Sequence, residues 1–538
     1  MNRFRLQIGS MDSAATDGAA ELAAAPAREG TRADRSLVPG ADLAGLDHRV
    51  LLVGGAVSAV LVALSGLYGF HRDELYFLDC ARHLAAGYVD QPVFTPLLAR
   101  VSLALFGVSL PGLRLWPALA AGATVVLAGL MARELGGGRK AQLLTALGVA
   151  LSPSLLGADH LFGPTAFDIL AWSGLSLIVL RIGRTGRVRL WVPAGAVLGL
   201  GLANKHSVGF LAVALLVGTL LTRGHAVVFN RWFLVGAVMA ATFTVPDLWW
   251  QAHHDWATVA MTHRLNQENG GVLNGRPLDF IVSQVFMATP VLIGVWVAGL
   301  RALWRSRIPP WQALAFSYGV LFVFFALTAG TKPYYVAGMY PYLLAAGAVV
   351  VEPELAGIPG RMRAIGRNLA VVTVVVAPFV LPVLPPADIG FVYALNQVPA
   401  ESVGWPELTG HVAAAWHGLP PAQRAGAVIF TADYGEAGAI NELGQHSGLP
   451  GAVGDHNNDW WWGPGNPAAT TVLAIAPGPL DVTNYEGYLR GFFHSVRLVA
   501  TIRNHAGLKN QEDGGHLYLC TDPDRPWGQM WAQLRHYD

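Results

Sequence analysis

Apolar residues in this chain fall into long unbroken runs, near residues 50–70, 113–132, 141–157, 165–182, 190–203, 207–222, 232–250, 279–300, 311–328, 334–350 and 368–387. A bilayer core of about 30 Å takes about 20 apolar helical residues, so the pattern predicts an all-α polytopic domain over residues 49–390 with about eleven transmembrane helices. The connections alternate in charge. Arg133, Arg139 and Lys140 follow the second run, and Arg181, Arg184, Arg187 and Arg189 the fourth. Arg223 and Arg231 follow the sixth, Arg301, Arg305 and Arg307 the eighth, and Arg361, Arg363 and Arg367 the tenth. Basic loops stay on the cytoplasmic side. The N-terminus is then cytoplasmic and everything beyond residue 388 lies outside.

The fifth run is short. Its apolar stretch of about 14 residues covers only about 21 Å at 1.5 Å per residue, which puts the turn Asn204-Lys205-His206-Ser207 at or below the outer membrane surface. Polar backbone and a lysine at that depth need protein or a wet cavity to face; the alternative is a span lengthened by snorkelling Arg187 and Arg189. Beyond residue 400 the pattern changes. Runs at 426–432, 470–476, 496–502 and 516–520 predict buried strands, and 436–448 and 481–493 predict helices between them, giving a small extracytoplasmic α/β domain over residues 391–538. Residues 1–48, rich in Ala, Gly, Asp and Arg without apolar periodicity, predict a disordered cytoplasmic tail. That tail holds no apolar stretch of signal-peptide kind, so the first span is expected to target the chain. No internal repeat is evident.

Composition agrees. Hydrophobic residues make up 53% and charged residues 13%, where soluble proteins carry about a quarter charged, and the mean hydropathy is +0.41. A net charge of +1 argues against a nucleic-acid partner. The two cysteines, Cys80 and Cys520, exclude a disulfide framework and a cysteine metal site. Both fall outside in this topology, as isolated thiols or as one bridge if their Cα atoms come within about 7 Å.

Candidate chemistry gathers at the outward ends. The first outer loop carries Asp73 and Glu74, then Asp90, among Tyr76, Phe77, Tyr88, Pro92, Phe94 and Pro96. Such carboxylates can supply a general base and an orienting partner, or simply face solvent. Lys205 and Lys332 sit at outer span ends, suited to a lipid headgroup or to interfacial anchoring. The loop 251–278 holds His253, His254, Asp255, His263, Arg264, Asn266 and Glu268. These could ligate a divalent cation or mould around a substrate, although their spacing matches no firm metal motif. The run His456-Asn457-Asn458-Asp459-Trp460-Trp461-Trp462 pairs amides with flat aromatic faces, suited to a sugar or peptide, or to packing of the soluble part on the helices.

The run HRDELYFLDCARHLAAGYVDQPVFTPLLARVSLALFGVSLPGLRLWPAL over residues 71–119 resembles the first loop and second span of the protein O-mannosyltransferase and lipid A aminoarabinose transferase superfamily. NKHS at 204–207, TKPYYVAGMYPYLLAAG at 331–347, YGEAGAINELG and HNNDWWWGPG resemble a bacterial subgroup of it. The resemblance implies a GT-C fold and transfer of a sugar, with inversion, from a polyprenyl-phosphate donor on the outer face to a glycan, lipid or protein acceptor. It makes Asp73 the base, with Glu74 and Asp90 beside it; Asp90 falls where the aminoarabinose branch has a glutamate. Gln91 departs from the lysine that often follows, so Lys205, Arg264 and Lys332 would supply positive charge, with His206, Tyr335 and Trp461 completing the substrate site. Cations fixed near the phosphate stabilise the charge that develops as the bond breaks. The rival readings are a transporter or flippase of lipid-linked sugars, which should show mid-span charges and repeat symmetry, and a membrane-anchored sugar sensor.

Overall fold

The structure, a computed structural model, describes Leu37, residues 43–478 and residues 484–537. Most of the expected disordered tail over residues 1–48 lies outside the described residues.

Six described helices are long and apolar enough to cross a membrane: Leu110–Glu134, Pro164–Thr185, Arg231–His253, Pro309–Leu327, Pro333–Gly357 and Arg361–Val380. Two bent helix pairs are apolar enough as well, Arg139–Ala150 with Pro153–Asp159 at 53° and Pro277–Met287 with Pro290–Trp304 at 89°, each a broken span or a re-entrant loop. Each break falls at a proline, which cannot donate the helical hydrogen bond and clashes with the preceding turn. His48–Leu64, Val188–Asn204 and Ser207–Leu221 are shorter apolar helices. The chain is a multi-pass membrane protein. Leu234, Val238, Val374 and Val375 stand exposed on two of the long helices, as a lipid-facing surface requires. Between helices small residues permit close approach: a Cβ on Gly195 would lie 2.1 Å from the Gly236 carbonyl oxygen.

The first loop is itself helical. Arg72–Arg82 and Phe94–Phe106 form two helices between the first two spans, where the sequence pattern gave only a packed loop. Both are short, and the apolar positions of Arg72–Arg82 are interrupted by Asp73, Glu74 and Asp79, so helical periodicity is weak there.

Beyond the helices stands one five-stranded sheet in the order β2-β1-β3-β5-β4, made of β1 (Ala427–Thr431), β2 (Ala452–Gly454), β3 (Thr471–Ala476), β4 (Phe493–Thr501) and β5 (His516–Pro523). The first three are parallel, and β5 and β4 run antiparallel. Four strands match the expected runs. β2 is a three-residue edge strand, too short for periodicity to reveal. Alternation puts Ile429, Leu473 and Leu519 against Trp405, Leu408 and Val412 on one face, and Phe430, Val472 and Cys520 against Trp527 and Trp531 on the other. Tyr434–Leu443 is helical as expected; the run at 481–493 contains a short helix, Tyr485–Leu489, its first residues lying outside the described ones.

The bridge considered for the two cysteines does not form. Both are buried and free, because Cys80 packs with Tyr76 and Tyr88 and Cys520 in the separate core on the sheet's far face.

Residues Ser36–Asp538 form one compact unit, and the first-loop helix Arg72–Arg82 is the joint within it. Its Leu75 belongs to the sheet's core. The helix Tyr434–Leu443 crosses it so closely that a Cβ on Gly438 would lie 2.7 Å from the Leu75 carbonyl.

Candidate functional site

The joint helix starts with a reciprocal cap. His71 Nδ1 accepts the Asp73 amide at 3.1 Å, and Glu74 Oε2 accepts the His71 amide at 2.8 Å. Glu74 is 0% exposed. Arg114 Nε and Nη2 each donate to it at 2.8 Å, and the Phe162 amide donates at 2.8 Å. Arg114 spends its other hydrogens on the Ser65 and Gly69 carbonyls, at 2.7 and 2.9 Å. Burial pushes the Glu74 carboxyl up, but the Arg114 charge and the donated hydrogen bonds outweigh it and hold the group below its ordinary value. The expected catalytic role for Glu74 is therefore corrected. It is a buried pin fastening the loop to the second span, with no oxygen left for substrate.

One residue earlier along a helix points about 100° away, and Asp73 faces a different environment. Its side chain is 45% exposed, and Oδ1 accepts the Tyr434 hydroxyl at 2.9 Å. Arg72 Nε lies 3.6 Å from the same carboxylate and 3.5 Å from Glu401, while Nη1 donates to Gln511 at 2.8 Å. The guanidinium also stands 5.5 Å from the Tyr434 ring centre. His71 Nε2 makes an ion-pair contact with Glu401 at 2.9 Å. Burial opposes the charge on His71, yet Asp73 and Glu401 win and raise its pKa. Glu401 is held low despite burial, by His71, Arg72 and the Lys332 charge.

Asp90 joins the same network. Its Oδ1 accepts the Tyr76 hydroxyl at 2.7 Å, and the Tyr76 ring centre is 4.7 Å from that of Tyr434. Burial raises the Asp90 carboxyl to about 6, against the Tyr76 hydrogen bond. Asn458 ties the segment to the sheet by accepting the Val89 amide at 2.6 Å. Gln91, where a lysine was looked for, is buried with neither side-chain amide atom hydrogen-bonded.

Toward the spans, the fifth helix ends at Asn204 and the next begins at Ser207, with Lys205 extended between them. The expected break is present. Lys205 Nζ stands 5.4 and 5.3 Å from the ring centres of Tyr334 and Tyr335, within cation–π range. Asp168, whose charge acts on Lys205, accepts from Ser207 Oγ at 2.7 Å and Trp172 Nε1 at 3.0 Å. His206 is held by Asp247 at 3.0 Å. Lys332 is exposed at the rim.

Two expected binding residues lie elsewhere. Arg264 pairs with Glu268 at 2.8 Å on the helix Ala257–Glu268, its charge reaching Asp455. Trp461 donates to the Tyr537 hydroxyl at 3.0 Å and meets His254 edge-on at 4.8 Å; it packs the C-terminal segment against the seventh span and is not a substrate platform. His253 and His254 each bond a carbonyl one turn back, at 2.7 and 2.8 Å. Among the described residues no three His, Cys, Asp or Glu side chains are grouped to hold a metal ion.

Sequence reasoning missed Asp168 and Asp247, although a lone carboxylate in an apolar run is itself a signal. Tyr434 and Glu401 carried no such signal, being ordinary residues more than 300 positions from Asp73.

Residues 90–250 match the family described as dolichyl-phosphate-mannose-protein mannosyltransferase. The undecaprenyl phosphate-alpha-4-amino-4-deoxy-L-arabinose arabinosyl transferase 1 of Pseudomonas fluorescens is 27% identical over 290 residues, covering 49% of this chain and 49% of that protein. The lipid A galacturonosyltransferase RgtD of Rhizobium johnstonii is 27% identical over 249 residues, 44% of this chain and 50% of that one. The chain thus spans about half the length of the curated relatives it matches. Among solved structures, ArnT from Cupriavidus metallidurans in the apo state superposes with a TM-score of 0.61 at 16% identity, over 88% of this chain and 98% of that one. The same protein bound to undecaprenyl phosphate gives 0.57 at 16% identity, over 87% and 97%. The GT-C resemblance read from residues 71–119 is borne out, and the fold is that of ArnT.

Proposed function

We propose that this GT-C chain is a membrane glycosyltransferase that moves a sugar, with inversion, from a polyprenyl-phosphate donor to an acceptor hydroxyl on the extracytoplasmic face. Asp73 is the general base. The observation that carries the reading is the position of Asp73, a half-open carboxylate oriented by Tyr434 beside Arg72.

Asp73 accepts the acceptor hydroxyl's proton as the oxygen attacks the anomeric carbon. The carbon–oxygen bond to the phosphate breaks, and its electron pair leaves on the phosphate oxygen. Lys205, braced between Tyr334 and Tyr335, with Lys332 at the rim, stabilises that charge. Asp90, bonded through Tyr76, orients the acceptor side. A glycan, lipid or protein hydroxyl fits this chemistry. The name of one relative, an undecaprenyl phosphate-linked aminoarabinose transferase, supports the donor class, and that of the other, a lipid A galacturonosyltransferase, supports a lipid among the acceptors.

We read the six long helices, the two bent pairs and the three shorter apolar helices at 48–64, 188–204 and 207–221 as eleven spans. Phe94–Phe106 then lies along the membrane surface. With basic loops inside, the sheet and the Asp73 site face outward, and a reporter fused at the C-terminus should read as extracytoplasmic.

The test is to incubate purified protein with polyprenyl-phosphate hexoses and pentoses. Consumption of one donor with release of polyprenyl phosphate supports the enzyme. Movement of intact lipid-linked sugar across reconstituted vesicles without consumption would favour the flippase reading.

A further inference from the structure

At the other end of the joint helix lies a cleft of about 380 Å³, within the range of about 300–1,000 Å³ usual for small-molecule sites. Its walls come from the end of the helix (Asp79, Arg82 and the following His83), from Asn441, and from Asp459 and Trp462. None of these was assigned a role in the donor site.

Two carboxylates line it, and neither is satisfied. Asp459 is 3% exposed with both oxygens unbonded; Asp79 is 1% exposed with Oδ1 unbonded, while Oδ2 accepts from Asn441 at 2.6 Å. A buried polar group without a partner destabilises the fold, so two on the wall of one cavity point to a ligand that completes them. Trp462 lies along the same cleft, its ring stacked on His83 at 4.4 Å and 20°, which makes a flat wall beside the acids.

The charges narrow the ligand. Arg82 is held by Glu442 through both Nε and Nη2, so the cleft offers no uncommitted cation for a phosphate. Among the described residues the carboxylates do not form a three-ligand metal group. Burial pushes both carboxyls up, Asp459 well above its ordinary value, and a protonated carboxyl can donate as well as accept a hydrogen bond. That combination suits hydroxyl groups.

We propose that this cleft seats one pyranose ring of a glycan acceptor, its hydroxyls bonded to Asp79, Asn441 and Asp459 and one ring face resting on Trp462. The assignment to the acceptor rests on the glycosyltransferase reading. Asp79 lies six residues beyond Asp73 on the same helix, about 9 Å along its axis at 1.5 Å per residue and about 120° around it, so the acceptor must extend beyond the ring held in the cleft to reach the base.

The test is direct binding of cellobiose, N,N′-diacetylchitobiose and the glucosamine disaccharide to the purified full-length protein, by saturation-transfer NMR and calorimetry. At least one should bind. Trp462→Ala should weaken it about tenfold, a loss of the size of one stacking contact, and the shape-preserving Asp459→Asn should weaken it severalfold. Wild-type protein that binds none at millimolar concentration, or variants that bind as wild type does, would overturn the proposal. Donor consumption is assayed separately. A protein that consumes donor but ignores all three sugars loses only this cleft; one that binds as predicted but consumes no donor keeps the cleft and loses the enzyme.

Discussion

Asp73 and Glu74 are neighbours in sequence and opposites in physics. Asp73 looks toward the sheet, half open, with one tyrosine hydroxyl and a shared arginine near it. Glu74 looks toward the spans, closed on every side by Arg114 and two amides. A carboxylate with no spare lone pair facing solvent holds a structure together. One with open faces and an orienting donor can accept a proton. Residue type and spacing cannot distinguish the two; the partner at position 114 does.

The comparison sharpens into measurements. The largest effect is expected at Glu74. Removing one partner of a buried ion pair typically costs about 3–5 kcal/mol, so Glu74→Gln should lower thermal stability strongly and reduce turnover only as the folded fraction falls. A Glu74→Gln protein that stays as stable as wild type yet loses turnover would reverse the roles of the two residues.

Lys205→Met should come next. In the proposed mechanism the lysine meets the donor's phosphate, and losing a charged interaction costs about 1.5–3 kcal/mol. Apparent donor affinity should drop accordingly while the protein remains folded and inserted. Unchanged donor affinity would return Lys205 to an interfacial anchor.

Asp90 gives the smallest effect and a pH signature. Its folded pKa is raised to about 6, above the ordinary carboxylate value, so the neutral form stabilises the fold. That contribution is fully present below pH 4 and is lost as pH rises through about 6. Wild-type melting temperature should therefore fall, relative to Asp90→Asn, across that window. Parallel melting curves against pH for the two proteins would remove Asp90 from the buried network.

Much of this was legible in the sequence because membrane and sheet impose strong periodicities. Apolar runs marked the membrane helices, and four strands announced themselves as buried runs. The two bends at prolines in the third and eighth spans blurred where helices end, and the edge strand at 452–454 was too short to register. The short fifth run exposed the break at Lys205 before any coordinates. The site was legible only where local signals sufficed. Asp73, Asp90 and Lys205 stood out by company or depth, whereas the Arg114 that disqualifies Glu74 sits 40 residues away and looks like any residue at the start of a span. Trp461 misled because three consecutive tryptophans look alike in sequence, while the structure commits Trp461 to Tyr537 and opens Trp462 to the cleft.

The central claim is that Asp73 takes the proton. Asp73→Asn keeps the side chain's size and its place beside Tyr434 but removes its basicity. The decisive measurement is a single-turnover assay at saturating donor, with bound donor quantified separately. The account predicts normal donor binding, an unchanged melting temperature and a chemical step slowed by about 10²–10⁴-fold, the range of general-base catalysis. A chemical step that runs at the wild-type rate in Asp73→Asn would contradict it.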